Sequence, residues 1–268
     1  MEELSLWDPV EFNVGARALW RLGRLSVWVQ RYEQAWHVLR TYAGDGDAAA
    51  REFALALQAD KPDSNDWKHY LVNDGRWALP LPAMMDRPVI VRPDRELILP
   101  PGQRARFFIA LPLWFALRAG TAPVAGSQAP LFEVPIVPIA NAWFGDPIAG
   151  ELCYYIDARL YQDAEELPGS PVHAVCPLWI HNDSEKELSF DRFCLHTEFL
   201  GIYRGRSRLW TNEVSILFKG AAQATQVQPS KSAPGLDGPA SLVREPRQAV
   251  ENWYFKRSFD LLKHFTGF

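Results

Sequence analysis

The sequence predicts a mainly β protein: a β-sandwich or jelly-roll-like body of antiparallel sheets, with a C-terminal amphipathic helix. Three observations carry this expectation. Short apolar runs of alternating parity recur at roughly 8–15-residue spacing, with no regular strand–helix–strand rhythm. The runs are punctuated by 21 Pro and 17 Gly. Helical spacing emerges only near the end, where Val250, Trp253, Tyr254, Arg257, Leu261 and Phe265 fall on one stripe. The expected organisation is one β domain over 1–245, with 44–75 as an insertion. A helix of about five turns over 246–268 is expected to pack on that domain or on a partner.

In chain order, residues 1–15 read as an extended arm. Leu25, Val27 and Val29 alternate with polar neighbours, and Trp36, Val38 and Tyr42 share a parity after a break near Arg31–Glu33, so 16–43 reads as a hairpin with Gly23 at a turn or bulge. The segment DAAAREFALALQAD is Ala-rich and follows a capping Asp47, which favours a short helix; Phe53, Leu55 and Leu57 keep a strand open. RPVIVRP is bracketed by prolines and is expected at a sheet edge. ELILPPG reads as a strand ending in a turn. Arg106–Arg118 is apolar on both parities and is expected to change sheets at Pro112, where a ladder donor is missing.

The best alternation is at Leu152, Tyr154, Ile156, Ala158 and Leu160, with Glu151, Cys153, Tyr155, Asp157 and Arg159 on the other face. Ala174–Asn182 reads as a strand, HNDSEKE as a turn, and a bulge near Arg192 would reconcile the two parities around Cys194. Arg208–Lys219 and a weak GAAQATQVQ run close the β series, followed by the loop PSKSAPGLDGP.

Composition excludes several classes. Net charge is −4 and no basic run occurs, which argues against a nucleic-acid surface. No apolar run approaches the ~18 residues of a membrane span. Three Cys, an odd number without C-x-x-C, argue for a reducing compartment. With an acidic N-terminus that lacks signal-peptide character, a cytoplasmic protein is expected. Dinucleotide, P-loop, nucleophile-elbow and zincin motifs are absent from the sequence, and no cofactor is expected.

Two groups of residues are candidates for chemistry. Cys194 and His196 are two apart, share a strand face, and with one donor from a neighbouring strand could hold a metal ion. His173, Cys176 and His181 fail that parity test or lie ~25 Å apart on an extended strand. The ordinary alternative, a buried Cys beside a core His, is the favoured one. The second group is the Trp143–Asp146 corner with Glu151 and Tyr155, which could line a small-ligand or carbohydrate groove. Glu151 and Asp157 are too far apart to pair on one strand, at ~20 Å, so Glu133 or Asp146 would have to supply a partner carboxylate. Here too the ordinary reading is favoured: a solvated face with a corner that plugs the core.

GRLSVWV with QAWHV, MMDRPVIVRP, LILPPGQ, AWFGDPIAGELCYYI and CPLWIHNDSEKELSFDRFCL ending in LWTNEV together resemble a family of archaeal and bacterial proteins carrying a domain of unknown function. The resemblance spans roughly residues 16–220. It implies no activity and no catalytic residues, and it brings in channel-type membrane proteins as a partner class.

The reading that results is a non-enzymatic cytoplasmic binding protein whose partner is another protein, either a second copy or a membrane protein it accompanies. The alternatives are a carbohydrate-active or small-ligand-binding protein using Trp143, Asp146, Glu151 and Tyr155, and a metal-binding protein using Cys194 and His196.

Overall fold

The computed structural model describes residues 3–44, 46–72, 75–123, 128–148, 150–156, 159–167, 169–220, 225–249 and 254–256. The protein is mainly β, as expected, but its sheets are both antiparallel and mixed. Among the described residues the longest helical segment is the five-residue 3-10 turn Glu3–Trp7. The chain forms two compact units.

The first unit comprises Met1–Ala83, Pro112–Pro138 and Ser170–Val172. Its five-stranded antiparallel sheet runs Phe53–Leu57, Arg17–Leu22, Leu25–Arg31, Ala35–Tyr42, Lys68–Leu71. Gly23, at φ +63°, makes the tight turn that lets Leu22 pair with Leu25. The helix favoured at Asp47 is a 3-10 turn, Ala48–Arg51, followed by the strand Phe53–Leu57. The alternation of Phe53, Leu55 and Leu57 prevails because the open edge of Arg17–Leu22 satisfies its backbone groups. A second sheet joins Val10–Glu11, Trp77–Ala83, Trp114–Gly120 and Gln128–Pro135. Phe12 packs edge-on against Trp36 at 5.1 Å, and Trp20 meets Phe115 at 6.0 Å, so rings from the two sheets share one core.

The second unit comprises Met84–Leu111, Ile139–Gly169 and His173–Phe268. Its large mixed sheet centres on His173–Asn182. Leu209–Thr211 and Val214–Phe218 follow one another along that strand in parallel. Ala174 pairs with Leu209 and Leu178 with Val214, so one extra residue is accommodated around Asn212. The buried Asn212 carboxamide accepts from the Gly201 amide at 2.7 Å and so ties that bulge to the neighbouring turn. The expected change of sheet at Pro112 is present: Arg104–Pro112 pairs in the large sheet, and Trp114–Gly120 belongs to the first unit.

The C-terminal expectation does not hold where the chain is described. Tyr254–Lys256 is a strand paired antiparallel to Thr225–Pro229. Residues 250–253 and 257–268 of the expected helix lie outside the described residues. Helical spacing alone did not decide the segment, because an unpaired strand edge offered its backbone another partner.

A smaller sheet carries the candidate site. Its order is Ala140–Phe144, Glu151–Tyr155, Val89–Val91, Phe193–Leu195. Val89–Val91 was expected at an edge; it is interior and buried, parallel to Glu151–Tyr155 and antiparallel to Phe193–Leu195. Its bracketing prolines sit just outside the ladder, so no donor is lost, and Pro88 contributes its carbonyl to the Tyr154 amide at 2.8 Å. The bulge expected near Arg192 is instead a change of sheet, since Leu188–Phe190 pairs with Leu97–Leu99.

Candidate metal centre

Two short sequences build the site: Glu151-Leu-Cys153 and Cys194-Leu-His196-Thr-Glu198. In each, donors recur every second residue, which places Glu151 with Cys153, and Cys194 with His196, on one face of an extended chain; Glu198 lies beyond the strand in a 3-10 turn. The register puts Ala142 beside Cys153 and Phe144 beside Glu151, with Cys194 beside Ile90. Phe144, Cys153, Ile90 and Cys194 form a buried cluster on that face. Cys153 was expected on a solvated face. It is fully buried, whereas Leu152, expected inside, is 44 % exposed. Tyr154 and Ile156 are buried and Tyr155 is exposed, as the alternation predicts; it fails at Leu152 and Cys153, where both faces carry apolar residues and the sheet's partners choose between them.

Three donor atoms converge here. The Glu151 carboxylate, the Cys194 thiol and the His196 imidazole lie within 4.8 Å of one another. His196 Nε2 stands 3.3 Å from Glu151 Oε1. On its other side, His196 Nδ1 lies 3.0 Å from Glu198 Oε1. His196 leaves the strand at φ −81° and ψ 89°, and Thr197–Phe199 then turns as a 3-10 segment that brings Glu198 back to the ring. The Thr197 hydroxyl anchors this turn on the Arg87 carbonyl at 2.8 Å. Cys153 Sγ lies 3.4 Å from Cys194 Sγ.

The electrostatics are those of a carboxylate-rich cluster around a buried imidazole. Burial works against the His196 imidazolium, but the hydrogen bonds and charges of Glu151 and Glu198 outweigh it, and its pKa stands above the ordinary histidine value. The Cys194 thiol is pushed well above its usual range by its hydrogen bond with Cys153, by burial, and by the negative charges of Cys153, Glu151 and Glu198. Glu198 Oε2 is buried and meets no hydrogen-bond donor among the described residues. Glu151, Cys194 and His196 could hold a divalent cation, which would favour the thiolate form, take up the imidazole nitrogen and balance the carboxylates.

The other sequence candidates separate. Trp143 pairs with Leu152 in the ladder, so it points to the face opposite Glu151 and Tyr155. Its indole donates to the Asp146 carbonyl at 2.9 Å, and Asp146 Oδ1 accepts from the Ile148 amide at 2.8 Å; both stabilise the hairpin turn. Tyr155 is 45 % exposed. Asp157 lies outside the described residues, and Glu133 belongs to the first unit. Cys194 and His196 are together, as their parity requires. Reading the residues alone missed Glu198 and Cys153; the signal that points to them is the continued alternation Cys-x-His-x-Glu and Glu-x-Cys.

Among curated proteins and among solved structures, nothing matches the chain. Residues 6–263 match a family described as a protein of unknown function, DUF432. That span includes every donor of the site and the phrases that carry the resemblance, and the chain belongs to the DUF432 family.

Proposed function

We propose that the protein is a non-enzymatic binding protein built around a buried structural metal centre, with Glu151, Cys194 and His196 as ligands. The observation that carries this reading is the convergence of carboxylate, thiol and imidazole atoms within 4.8 Å, with Cys194 and His196 buried and Glu151 half-buried. Zinc–nitrogen and zinc–oxygen bonds of about 2.0–2.1 Å imply a tetrahedral edge near 3.4 Å. The 3.3 Å between His196 Nε2 and Glu151 Oε1 supports one ion bridging both. Glu198 takes the outer role: an imidazole that ligates through Nε2 donates its Nδ1–H to a carboxylate, which fixes tautomer and ring orientation. Burial of Cys194 and His196 favours a structural site over a catalytic one, which keeps a position open to substrate. For the body, the shared aromatic core of the first unit supports a β-sandwich reading there.

The test is metal content after purification without chelators. About one zinc-class ion per chain is expected, with loss of the ion in His196→Ala and Cys194→Ala while far-ultraviolet circular dichroism stays that of a folded β protein. A folded wild-type protein that neither carries nor takes up zinc or cobalt overturns the reading.

A further inference from the structure

We propose that the outer face of the large mixed sheet carries a separate site, a groove that takes a small organic anion through its phosphate or carboxylate group. This groove shares no residue with the candidate metal donors and does not depend on the metal reading.

The strand order builds the groove. Arg104–Pro112 and Val214–Phe218 both pair with the central strand His173–Asn182. Leu178, Ile180, Val214, Ile216 and Phe218 are buried, so that parity faces the core. Trp179 and His181 have the opposite parity, and the register sets Ser215 beside Trp179 and Leu217 beside His181. With Arg104 and Glu213 they line a groove of about 490 Å³. Small-molecule sites span roughly 300–1,000 Å³.

The polar side chains of this face divide into those with a partner and those without. The Arg106 guanidinium is committed: it donates to the Glu213 carboxylate at 2.8 Å, and it lies 5.1 Å from the Phe108 ring centre and 5.4 Å from that of Trp179. That ion pair is neutral as a unit. Arg104 rests over the same indole at 5.0 Å and meets no carboxylate among the described residues. Among those residues the His181 imidazole and the Ser215 hydroxyl have no hydrogen-bond partner either. A guanidinium stacked on an indole keeps its in-plane N–H groups for another acceptor. One uncompensated cation, an imidazole and a hydroxyl in one groove suit an oxyanion, and they disfavour a cationic ligand. Trp179 and Leu217 add an apolar wall, which favours an anionic group on an organic body over a bare ion.

The experiment titrates the full chain with phenyl phosphate and, separately, with benzoate, and follows the amide and indole N–H resonances. Benzyl alcohol is the uncharged control. Saturable shifts centred on Trp179, His181 and Ser215 are expected with at least one anion and not with benzyl alcohol. A response to phenyl phosphate alone assigns a phosphate ligand, to benzoate alone a carboxylate, and to both an oxyanion site that accepts either. Arg104→Gln should raise the Kd about 10–100-fold. Arg104 is exposed, so this variant should keep the fold. Ser215→Ala, which removes one hydroxyl, is the second variant and should raise the Kd about tenfold. No saturable shift with either anion, an equal response to benzyl alcohol, or an unchanged Kd in Arg104→Gln overturns the proposal.

Discussion

His196 is gripped from both sides, by Glu151 at Nε2 and Glu198 at Nδ1, and the two carboxylates have different duties. Glu198→Gln keeps the shape but weakens the acceptor for Nδ1–H; metal affinity measured by competition with a chromophoric chelator should fall about 10–100-fold. The remaining cysteine behaves differently. Burial pushes the Cys176 thiol up to about 12. In the native protein it should resist thiol reagents near neutral pH and react only after denaturation; rapid native labelling at Cys176, located by peptide mapping, would contradict this. His173 carries a pH prediction. Burial lowers its pKa from 6.5 to about 4. The unfolded chain takes up the proton first, so the stability that neutral His173 contributes is present above its unfolded value and is lost as pH falls toward the folded one. Urea unfolding should show about 2 kcal/mol less stability at pH ~5 than at ~7 from this group, and His173→Gln should flatten that part of the profile. At this scale much of the site was legible. Cys194 and His196 share a face by parity alone. Glu151 could not be assigned to them, because it lies two strands away and strand order leaves no local mark on the sequence.

Among elements, the hairpin Ala140–Phe144 to Glu151–Tyr155 sets Glu151 and Cys153 in place, and its turn is crowded. A Cβ on Gly150 would come 2.5 Å from the carbonyl oxygens of Phe144 and Asp146 and from the Trp143 indole nitrogen. Gly150→Ala should therefore destabilise the protein by about 1–3 kcal/mol in chemical denaturation and loosen metal binding with it. Ile90 packs between the two cysteines on the central strand. Ile90→Ala should cost about 2–4 kcal/mol, because the cavity it leaves is walled by strands that cannot collapse. The elements also show where local reading stops. Pro88 and Pro93 suggested an edge, yet the three-residue strand Val89–Val91 between them is interior. Phe53–Leu57 looked helical by composition and pairs as a strand. In both cases a neighbouring strand with free backbone groups decided the outcome, and that neighbour is distant in sequence.

Over the whole molecule, the mainly β character followed from the period-two runs and their Pro and Gly punctuation. The two units did not, because each is assembled from three separated segments, and a run such as Arg104–Gly120 passes from one to the other within a single apolar stretch. The proposed metal centre belongs wholly to the second unit, with its donors on Glu151–Tyr155 and on the chain from Cys194 through Glu198. A bound ion stabilises the folded state in proportion to ligand excess, by about 2.7 kcal/mol at a hundredfold over its Kd, so added zinc should raise the thermal midpoint and magnesium should not. The central claim is tested most directly by native mass spectrometry of the full chain after addition of stoichiometric zinc. The account predicts a single species heavier than the bare chain by one zinc ion, reverting to the bare mass in His196→Ala. A wild-type spectrum that stays at the mass of the bare chain would contradict it.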